Sequence, residues 1–232
     1  MSTIISVTSR KGGVGKTALA TSLASILADQ GASVLLVDMD PQSSAALALG
    51  VDPLAPGTAN WLMGQHAQFQ EVQPGLKLLA ASPLLDQFRE EDGHILKQRL
   101  AEAKEDFVVI DTAAGSAAIS RCAVAMSDIV LVAAEPHPLA LAAATTILDG
   151  LSSAKPRALI LSRVDMNKSL HREIVAGASE AFPGTSVFAV RADSRMERAL
   201  AEGKPASRLS NWSKAKVDIE NVMEWLTNQE EA

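Results

Sequence analysis

A glycine-rich segment between a short apolar run and an alanine-rich run constrains the fold more than any other feature of the sequence. Residues 4–8 are suited to a buried strand, and Gly12, Gly13 and Gly15 follow closely. A run with helical spacing then extends through residues 16–30. Glycine adopts backbone conformations closed to other residues, so the chain can turn sharply between the two elements. The pattern predicts a strand, a tight loop and a helix that packs back on the strand.

Strand-like and helix-like segments alternate along the rest of the chain. Short apolar runs predict buried strands at residues 4–8, 33–37, 76–80, 107–110, 129–133, 158–161 and 186–190. Longer stretches with helical spacing lie at residues 16–30, 84–104, 117–126, 139–151, 170–182 and 213–228. This alternation predicts parallel strands joined by crossover helices. Residues 51–57 have the composition of a loop, so we expect residues 1–232 to form a single domain.

The residues after the glycines supply phosphate chemistry. The segment fits the pattern G-x-x-x-x-G-K-[ST] only in part, because Arg10 stands where the first glycine would be. Lys16 can place its charge on the β and γ phosphates, and the Thr17 hydroxyl can ligate Mg²⁺. Loop amides and the amino end of the helix can bind the same anion. The alternative for this segment is a plain glycine turn that joins a strand to a helix. We expect an α/β fold of P-loop NTPase type, with a mostly parallel twisted sheet of about seven to eight strands and helices on both faces.

The sequence Lys-Gly-Gly-Val-Gly-Lys-Thr at residues 11–17 resembles the deviant Walker A motif of the ParA/MinD ATPases. The resemblance implies that ATP and ADP bind with Mg²⁺. It also implies nucleotide contacts from the whole loop, namely Lys11, Gly12, Gly13, Val14, Gly15, Lys16, Thr17 and Ala18. In that family the first lysine, here Lys11, reaches the nucleotide of a second subunit, so we expect an ATP-dependent homodimer. A lysine beside its own loop could also contact phosphate within one chain.

Two further strands end in carboxylates. Asp38 and Asp40 follow the apolar residues 34–37 and resemble the family's switch I segment, which implies that Asp40 orients the attacking water and that Asp38 lies near the magnesium shell. The alternative is that both aspartates cap a turn. Asp111 ends the run 107–111 and resembles the Walker B aspartate that holds Mg²⁺. The predicted catalytic residues are Lys11, Lys16 and Asp40, and the predicted metal site consists of Thr17, Asp38 and Asp111.

Two positions depart from the family pattern. Residues 112–116 correspond to switch II, but Ala113 and Ala114 stand where many relatives have prolines. Ala18 replaces a second threonine, which costs a phosphate contact at most. Arg163, after a late strand, occupies a position where relatives contact adenine. His137 lies between two prolines and is interpreted as a rigid loop residue rather than a catalytic one.

Composition narrows the class of protein. The chain has 232 residues, of which 47% are hydrophobic and 21% charged, as in globular proteins. A single cysteine, Cys122, excludes disulfide frameworks and iron–sulfur clusters within one subunit and removes the cluster-bearing members of the family. No apolar run is long enough to span a bilayer, and no basic segment precedes the first apolar run, so we expect a cytoplasmic protein.

The carboxyl-terminal region separates into a basic stretch and an acidic tail. The net charge of the chain is −6, yet residues 191–216 hold seven basic residues and three acidic ones. The basic residues are Arg191, Arg195, Arg198, Lys204, Arg208, Lys214 and Lys216. Partition relatives bind DNA without sequence preference through this region, so Arg191, Arg195, Arg198, Lys214 and Lys216 are predicted to contact double-stranded DNA; the alternative is an ordinary solvated helix face. Residues 217–232 hold five acids and no base, which argues against a membrane anchor.

The expected function is that of a ParA-type partition ATPase. An ATP-dependent dimer would bind nonspecific DNA on the nucleoid, and slow hydrolysis stimulated by a ParB-like or other DNA-binding adaptor would release it. No amino-terminal helix-turn-helix is expected, because the phosphate loop follows the first strand. The alternative is a nucleotide-gated positioning or recruitment protein that acts on a protein complex without DNA. A carboxylate- or amine-activating enzyme would need acid–base residues that the sequence does not offer.

Overall fold

An eight-stranded sheet forms the centre of the computed structural model, which describes residues 2–115, 117–209 and 213–230. The strands are β1 Thr3–Thr8, β2 Val34–Met39, β3 Gln70–Gln73, β4 Leu76–Leu79, β5 Phe107–Thr112, β6 Ile129–Ala134, β7 Arg157–Val164 and β8 Ser186–Arg191. Their order in the sheet is β3-β4-β2-β5-β1-β6-β7-β8. All neighbouring pairs are parallel except β3 and β4.

The seven strands predicted from apolar runs are all present, and they are the seven that run parallel. Strand β3 was missed because its sequence, Gln-Glu-Val-Gln, contains no apolar run. It lies at the edge of the sheet and pairs antiparallel with β4 through a tight turn at Gly75, whose φ is 83°. An edge strand needs less apolar surface than a central one, so sequence periodicity gives little signal for it.

Helices cover both faces of the sheet. The helices are α1 Lys16–Asp29, α2 Ser44–Ala48, α3 Thr58–Leu62, α4 Gly93–Ala101, α5 Ala118–Met126, α6 Pro138–Asp149, α7 Ser169–Ala181, α8 Ser194–Ala201 and α9 Lys214–Glu230. Helices α1, α2, α8 and α9 contribute to the core on one face, and α3 to α7 contribute to the core on the other. Within the described ranges, no helix has both the length and the apolar character needed to cross a membrane.

Burial on both faces explains the unbroken apolar runs. All six residues of β2, β5 and β6 are buried. In β2, Val34 and Leu36 pack on the α1 side while Leu35 and Val37 pack on the opposite side. Strands of a parallel sheet that is covered on both sides need apolar residues at successive positions rather than at alternate ones. The predicted α/β fold with helices on both faces is confirmed.

One predicted helix was wrong in its bounds. The spacing of residues 84–104 predicted a single helix, but the segment contains two short 3₁₀ turns, Pro83–Gln87 and Glu90–Asp92, before α4 begins. The Asp92 carboxylate accepts a hydrogen bond from the Arg89 amide at 2.8 Å. This local bond starts a new turn at Arg89, where the backbone is extended, so the first turn cannot continue into α4.

Two glycines from distant parts of the chain bring the segments after α2 and α8 into backbone contact. Gly50 and Gly203 have φ values of 69° and 65°. A Cβ placed on Gly203 would lie 2.7 Å from the Cα of Gly50, and a Cβ placed on Gly50 would lie 2.7 Å from the carbonyl oxygen of Gly203. Neither position therefore has room for a side chain.

We expect Gly203→Ala to lower the thermal stability more than Gly184→Ala. Gly184 is a matched control because its φ is 72° and an added Cβ would meet only a terminal Arg157 nitrogen at 3.8 Å. Both variants carry the left-handed backbone cost of about 1–2 kcal/mol, and only Gly203→Ala adds a backbone clash. At about 2–4 °C per kcal/mol, the Gly203 variant should show at least twice the fall in Tm by calorimetry. Equal losses would mean that this contact relaxes without cost.

Candidate functional site: a phosphate loop above two buried carboxyl groups

The three sequence motifs meet at the carboxyl ends of neighbouring strands. The glycine loop follows β1, Asp111 lies near the end of β5, and Asp38 lies near the end of β2. In the pairing of β2 with β5, Asp38 is directly opposite Asp111, and in the pairing of β1 with β5, Val7 is opposite Asp111. The topology thus brings the predicted loop and the predicted metal residues to one place, which is where α/β sheets bind ligands.

The loop leaves backbone amides available to an anion. Gly13 and Gly15 have φ values of 76° and 91°, which favour glycine. Gly15 is also the residue that precedes α1, and as a glycine it has no side chain with which to cap this helix end. Among the described residues, the amides of residues 12–15 donate no backbone hydrogen bond. Together with the first amides of α1, they form a cradle with the positive end of the helix dipole behind it.

The two lysines of the loop have different environments. The side chain of Lys16 is buried, with the residue 5% exposed, and its charge acts on Asp111. Lys11 is exposed on the surface of the loop. One lysine therefore belongs to the interior of its own site, and the other is accessible from outside the chain.

Asp111 is a buried carboxyl group that lacks a hydrogen bond of ordinary geometry among the described residues, although the Thr17 hydroxyl lies close to it. It has no solvent exposure, and neither of its carboxylate oxygens makes a well-formed hydrogen bond within the described residues. Burial raises the pKa of Asp111 to about 7, while the nearby Thr17 hydroxyl and Lys16 ammonium act in the opposite direction. An unpartnered buried carboxylate is costly, which makes it a good ligand for a cation.

Asp38 uses both of its oxygens inside the chain. Oδ1 accepts a hydrogen bond from the Asp40 amide at 2.9 Å, and Oδ2 accepts one from the Ala45 amide at 3.1 Å. Burial, and then the neighbouring Asp111, raise the pKa of Asp38 well above its ordinary value. Asp38 therefore anchors the start of α2, and it holds the backbone of Asp40 at the same time. The Asp40 carboxylate itself is half-buried and accepts from the Gln42 amide at 3.2 Å.

The switch II segment is tied to β1 and to α5. The Thr112 hydroxyl donates to the Val7 carbonyl at 3.0 Å, and the Gly115 amide donates to the Ser9 carbonyl at 3.2 Å. The Ala113 amide donates to the Ser120 hydroxyl at 3.2 Å. Ser116, the last residue of the predicted segment, lies outside the described residues. The segment thus packs beside the glycine loop, although prolines are replaced by alanines.

The donors around Asp111 suit a hard cation. Thr17, Asp38 and Asp111 offer only oxygen atoms, the ligand type that Mg²⁺ prefers. The two unpartnered oxygens of Asp111 supply the clearest sign of fit, since a cation would satisfy both. In the described residues no group of three histidine, cysteine, aspartate or glutamate side chains is placed to hold a metal. Any Mg²⁺ at this point would therefore need oxygens from phosphate and water as well.

Arg163 lies at the rim of a small cavity beside the loop. The cavity measures about 100 Å³, and Gly15, Ala18 and Met196 contribute to its wall. Arg163 is exposed, has a φ of 54° and lies 3.6 Å from the Glu135 carboxylate.

His137, the residue between two prolines, has a structural role in the folded chain. It caps α6, since its Nδ1 accepts a hydrogen bond from the Leu139 amide at 3.3 Å.

Two residues of the predicted DNA-contacting set are bonded to partners within the chain. The guanidinium of Arg191 makes two hydrogen bonds to Asp218, at 2.7 and 2.8 Å. Lys216 is 8% exposed and its ammonium donates to the Leu209 carbonyl at 3.1 Å. Arg191 therefore joins β8 to α9, and Lys216 joins α9 to the segment that precedes it.

The other three predicted residues are exposed. Arg195 and Arg198 lie on α8, and Lys214 begins α9. The Asp193 carboxylate joins these two helix starts, since it accepts from the Arg195 amide at 2.9 Å and from the Ser213 hydroxyl at 2.8 Å. Residues 210–212 of the basic stretch and residues 231–232 of the acidic tail lie outside the described residues.

The site combines loop amides that donate to no backbone acceptor in the described residues, a buried lysine and a buried carboxyl group, all near the ends of adjacent strands. These features define a P-loop nucleotide-binding protein. The AAA domain family matches residues 2–162. The chain is 27% identical over 228 residues to the chromosome partitioning protein ParA of Caulobacter vibrioides, covering 87% of this chain and 85% of that protein.

Solved structures agree in fold. A McdA–ATP complex from Cyanothece superposes with a TM-score of 0.82 at 23% identity, covering 97% of this chain and 96% of that one. The septum site-determining protein MinD of Pyrococcus horikoshii with Mg-ADP superposes with a TM-score of 0.80 at 22% identity, with the same coverage. The chain belongs to the ParA/MinD family of P-loop ATPases.

We expect Asp111→Asn to raise the stability of the nucleotide-free protein at pH 8. The pKa of Asp111 is about 7 in the folded chain against an ordinary 3.8, so between these values the unfolded chain loses a proton that the folded chain keeps. Stability therefore falls as pH rises through this window and stays lower above it. Asparagine has no charge to bury, and Tm at pH 8 without Mg²⁺ should rise by several degrees, or about 1–2 kcal/mol.

The gain from Asp111→Asn should shrink as the pH is lowered toward 4, because the folded chain then keeps this carboxyl group protonated and the unfolded chain begins to protonate it as well. Asp29→Asn, which changes an exposed acid in α1, should leave Tm unchanged at pH 8. A variant Tm at pH 8 equal to or below that of the wild type would contradict the assigned cost of this carboxylate.

Proposed function

We propose that the protein is a partition or positioning ATPase whose ATP-bound form is a homodimer. The observation that carries this proposal is the contrast between the two loop lysines. Lys16 is buried in its own site, so that site already has a cation, whereas Lys11 is exposed beside the loop. An exposed lysine at this point can reach a phosphate bound to a second copy of the chain, which makes dimerisation depend on the nucleotide.

Each residue of the site is proposed to have a separate task. The amides of residues 12–18 bind the phosphates, and Lys16 neutralises their charge. Thr17 and Asp111 hold Mg²⁺, with Asp38 nearby in its outer shell; when bound, the cation would neutralise charge on the phosphate oxygens. Arg163 is proposed to line the base side of the site. These assignments rest on the register of β2 and β5 and on the unpartnered oxygens of Asp111.

Asp40 is proposed to orient the water that attacks the γ-phosphate. Its backbone is fixed by Asp38, while its carboxylate is half-buried at the edge of the site. A carboxylate in this position can accept a hydrogen bond from water and hold the oxygen in line with the bond to be broken. Hydrolysis at this site is proposed to be slow, to depend on Mg²⁺ and to be accelerated by a partner protein.

Lys11→Ala should abolish ATP-dependent dimerisation and leave nucleotide binding to the monomer within about threefold. The expected result follows because the monomer retains Lys16 and the loop amides. Light scattering with ATP and Mg²⁺ measures the mass, and equilibrium titration measures the nucleotide affinity. Arg10→Ala removes an exposed cation from the preceding position and should still dimerise. A Lys11→Ala variant that dimerises like the wild type would reject the proposed contact between subunits.

We propose that the dimer binds double-stranded DNA without sequence preference through Arg195, Arg198 and Lys214. All three are exposed, and Asp193 links the two helices that carry them, so they are presented by one rigid part of the surface. Few phosphate contacts per subunit give weak binding, and a dimer doubles their number. Affinity for DNA would then follow the nucleotide state and place the ATP form on the nucleoid, where a DNA-binding adaptor of the ParB type would stimulate hydrolysis and connect the cargo.

The Arg195→Ala, Arg198→Ala double variant should lose most DNA binding at 50 mM salt in the presence of ATP. The dependence of log affinity on log salt should also become shallower, by about 0.9 for each phosphate contact removed. Fluorescence anisotropy with a duplex of random sequence measures both quantities. Lys97→Ala with Arg172→Ala removes the same charge from α4 and α7 and should change binding little. Retained binding by the α8 variant with normal dimerisation would exclude this surface.

One observation favours the alternative function, in which an ATP-dependent dimer recruits a protein complex without DNA. The Glu202 carboxylate lies 2.9 Å from Arg198 and 2.7 Å from Lys204, so part of the positive charge of this region is neutralised. This alternative predicts dimers that ignore duplex DNA even at low salt. The DNA titration of the wild-type dimer therefore separates the two functions.

A further inference from the structure

A buried serine at the end of β7 is bonded to the phosphate loop. The Ser162 hydroxyl donates to the Val14 carbonyl oxygen at 2.6 Å, with the Ala134 carbonyl oxygen at 3.2 Å as a second acceptor. Ser162 is 8% exposed, and its Cβ lies 3.9 Å from the place where a Cβ on Gly15 would stand. Strand β7 therefore directly supports the loop, from a position far along the sequence.

This bond fixes the direction of a loop amide. The peptide group between Val14 and Gly15 is planar and trans, so its C=O and its N–H point to opposite sides. Because Ser162 holds the carbonyl toward β7, the Gly15 amide must point away from β7. That amide donates to no acceptor among the described residues, and it belongs to the loop that is proposed to bind phosphate.

The loop has few other restraints at this peptide. Glycines on either side of Val14 allow the peptide plane to rotate at low cost, since Gly13 and Gly15 tolerate many backbone conformations. Without the serine hydroxyl, the buried Val14 carbonyl would lose its partner, and rotation of the plane would be the easiest way to find another. A rotated plane would direct a carbonyl oxygen, instead of an amide, at the anion.

We propose that Ser162 is a positioning residue for nucleotide binding, which holds the Val14–Gly15 peptide so that its amide faces the phosphate. The inference rests on the proposed role of residues 12–18 in binding phosphate. Ser162 acts through the backbone and touches neither the reacting atoms nor the cation. Its contribution is therefore the same for ATP and ADP, because both place phosphate in the loop, and it is a contribution to binding rather than to the chemical step.

The test compares Ser162→Ala with Ser162→Thr and Ser162→Cys in the full chain with Mg²⁺. Alanine removes the donor, threonine keeps a hydroxyl, and cysteine keeps a group of similar size that donates weakly. We expect Ser162→Ala to raise Kd for ATP and for ADP by about tenfold, to raise KM in proportion and to leave kcat within about twofold. Threonine should restore wild-type affinity, and cysteine should fall between the two.

Ser127→Ala is the matched control. Its buried hydroxyl also donates to a backbone carbonyl, that of Ala123 at 2.7 Å, but it lies at the opposite end of the sheet. It should lower Tm without changing nucleotide affinity. Nucleotide affinity of Ser162→Ala equal to that of the wild type would overturn the proposal, as would a fall in kcat with KM unchanged. Should the alanine variant fail to fold, Ser162→Cys decides in the same way, and absence of ATP binding by the wild type would reject the phosphate loop function itself.

Discussion

Two carboxyl groups that lie side by side beneath the phosphate loop set the conditions for the rest of the site. Parallel pairing of β2 with β5 puts Asp38 opposite Asp111, and both side chains are completely buried. Two negative charges at this depth are costly, which is why both pKa values are raised. The nucleotide-free chain is therefore less stable than its core would allow. A ligand that brings a cation relieves this cost. Binding of the nucleotide with its cation therefore also increases the free energy of unfolding.

The same pair shows how neighbouring residues of one type acquire different tasks. Asp38 is bonded through both oxygens to backbone amides, and it holds the switch I segment and the start of α2. Asp111 has no such bonds in the described part of the chain and remains suited to a cation. The difference comes from what surrounds each strand end: α2 turns back over β2 and offers amides to Asp38, whereas the glycine loop and Thr17 lie over β5. A site of this kind needs a fixed strand register, because a shift of β2 by one residue would move Asp38 to the opposite face of the sheet, away from Asp111.

The sequence was sufficient for the parallel strands, the loop and the family, because each depends on local patterns. Apolar runs predicted the seven parallel strands, and the motif at residues 11–17 predicted the phosphate loop. The surface was harder to predict. The sequence predicts exposed side chains at Arg191 and Lys216. In the folded chain, Arg191 is bonded to Asp218 and Lys216 is bonded to the Leu209 carbonyl. The role of Ser162 could not be predicted, since a hydroxyl bonded to a distant carbonyl has no sequence pattern. Strand β3 and the start of α4 depend on edge pairing and on local side-chain bonds, which periodicity does not detect.

The contact between Gly50 and Gly203 has a consequence for how the family can vary. In most packed contacts a larger residue on one side is accommodated by a smaller one on the other, so substitutions at the two positions are correlated. Here both partners are already glycine, and each Cβ would meet backbone atoms of the other. No compensating substitution exists, and relatives that keep this crossing must keep both glycines. A relative that lacks either glycine should have a different chain path in the segments that follow α2 and α8. The sequence of such a relative would then indicate that the geometry of this contact has changed.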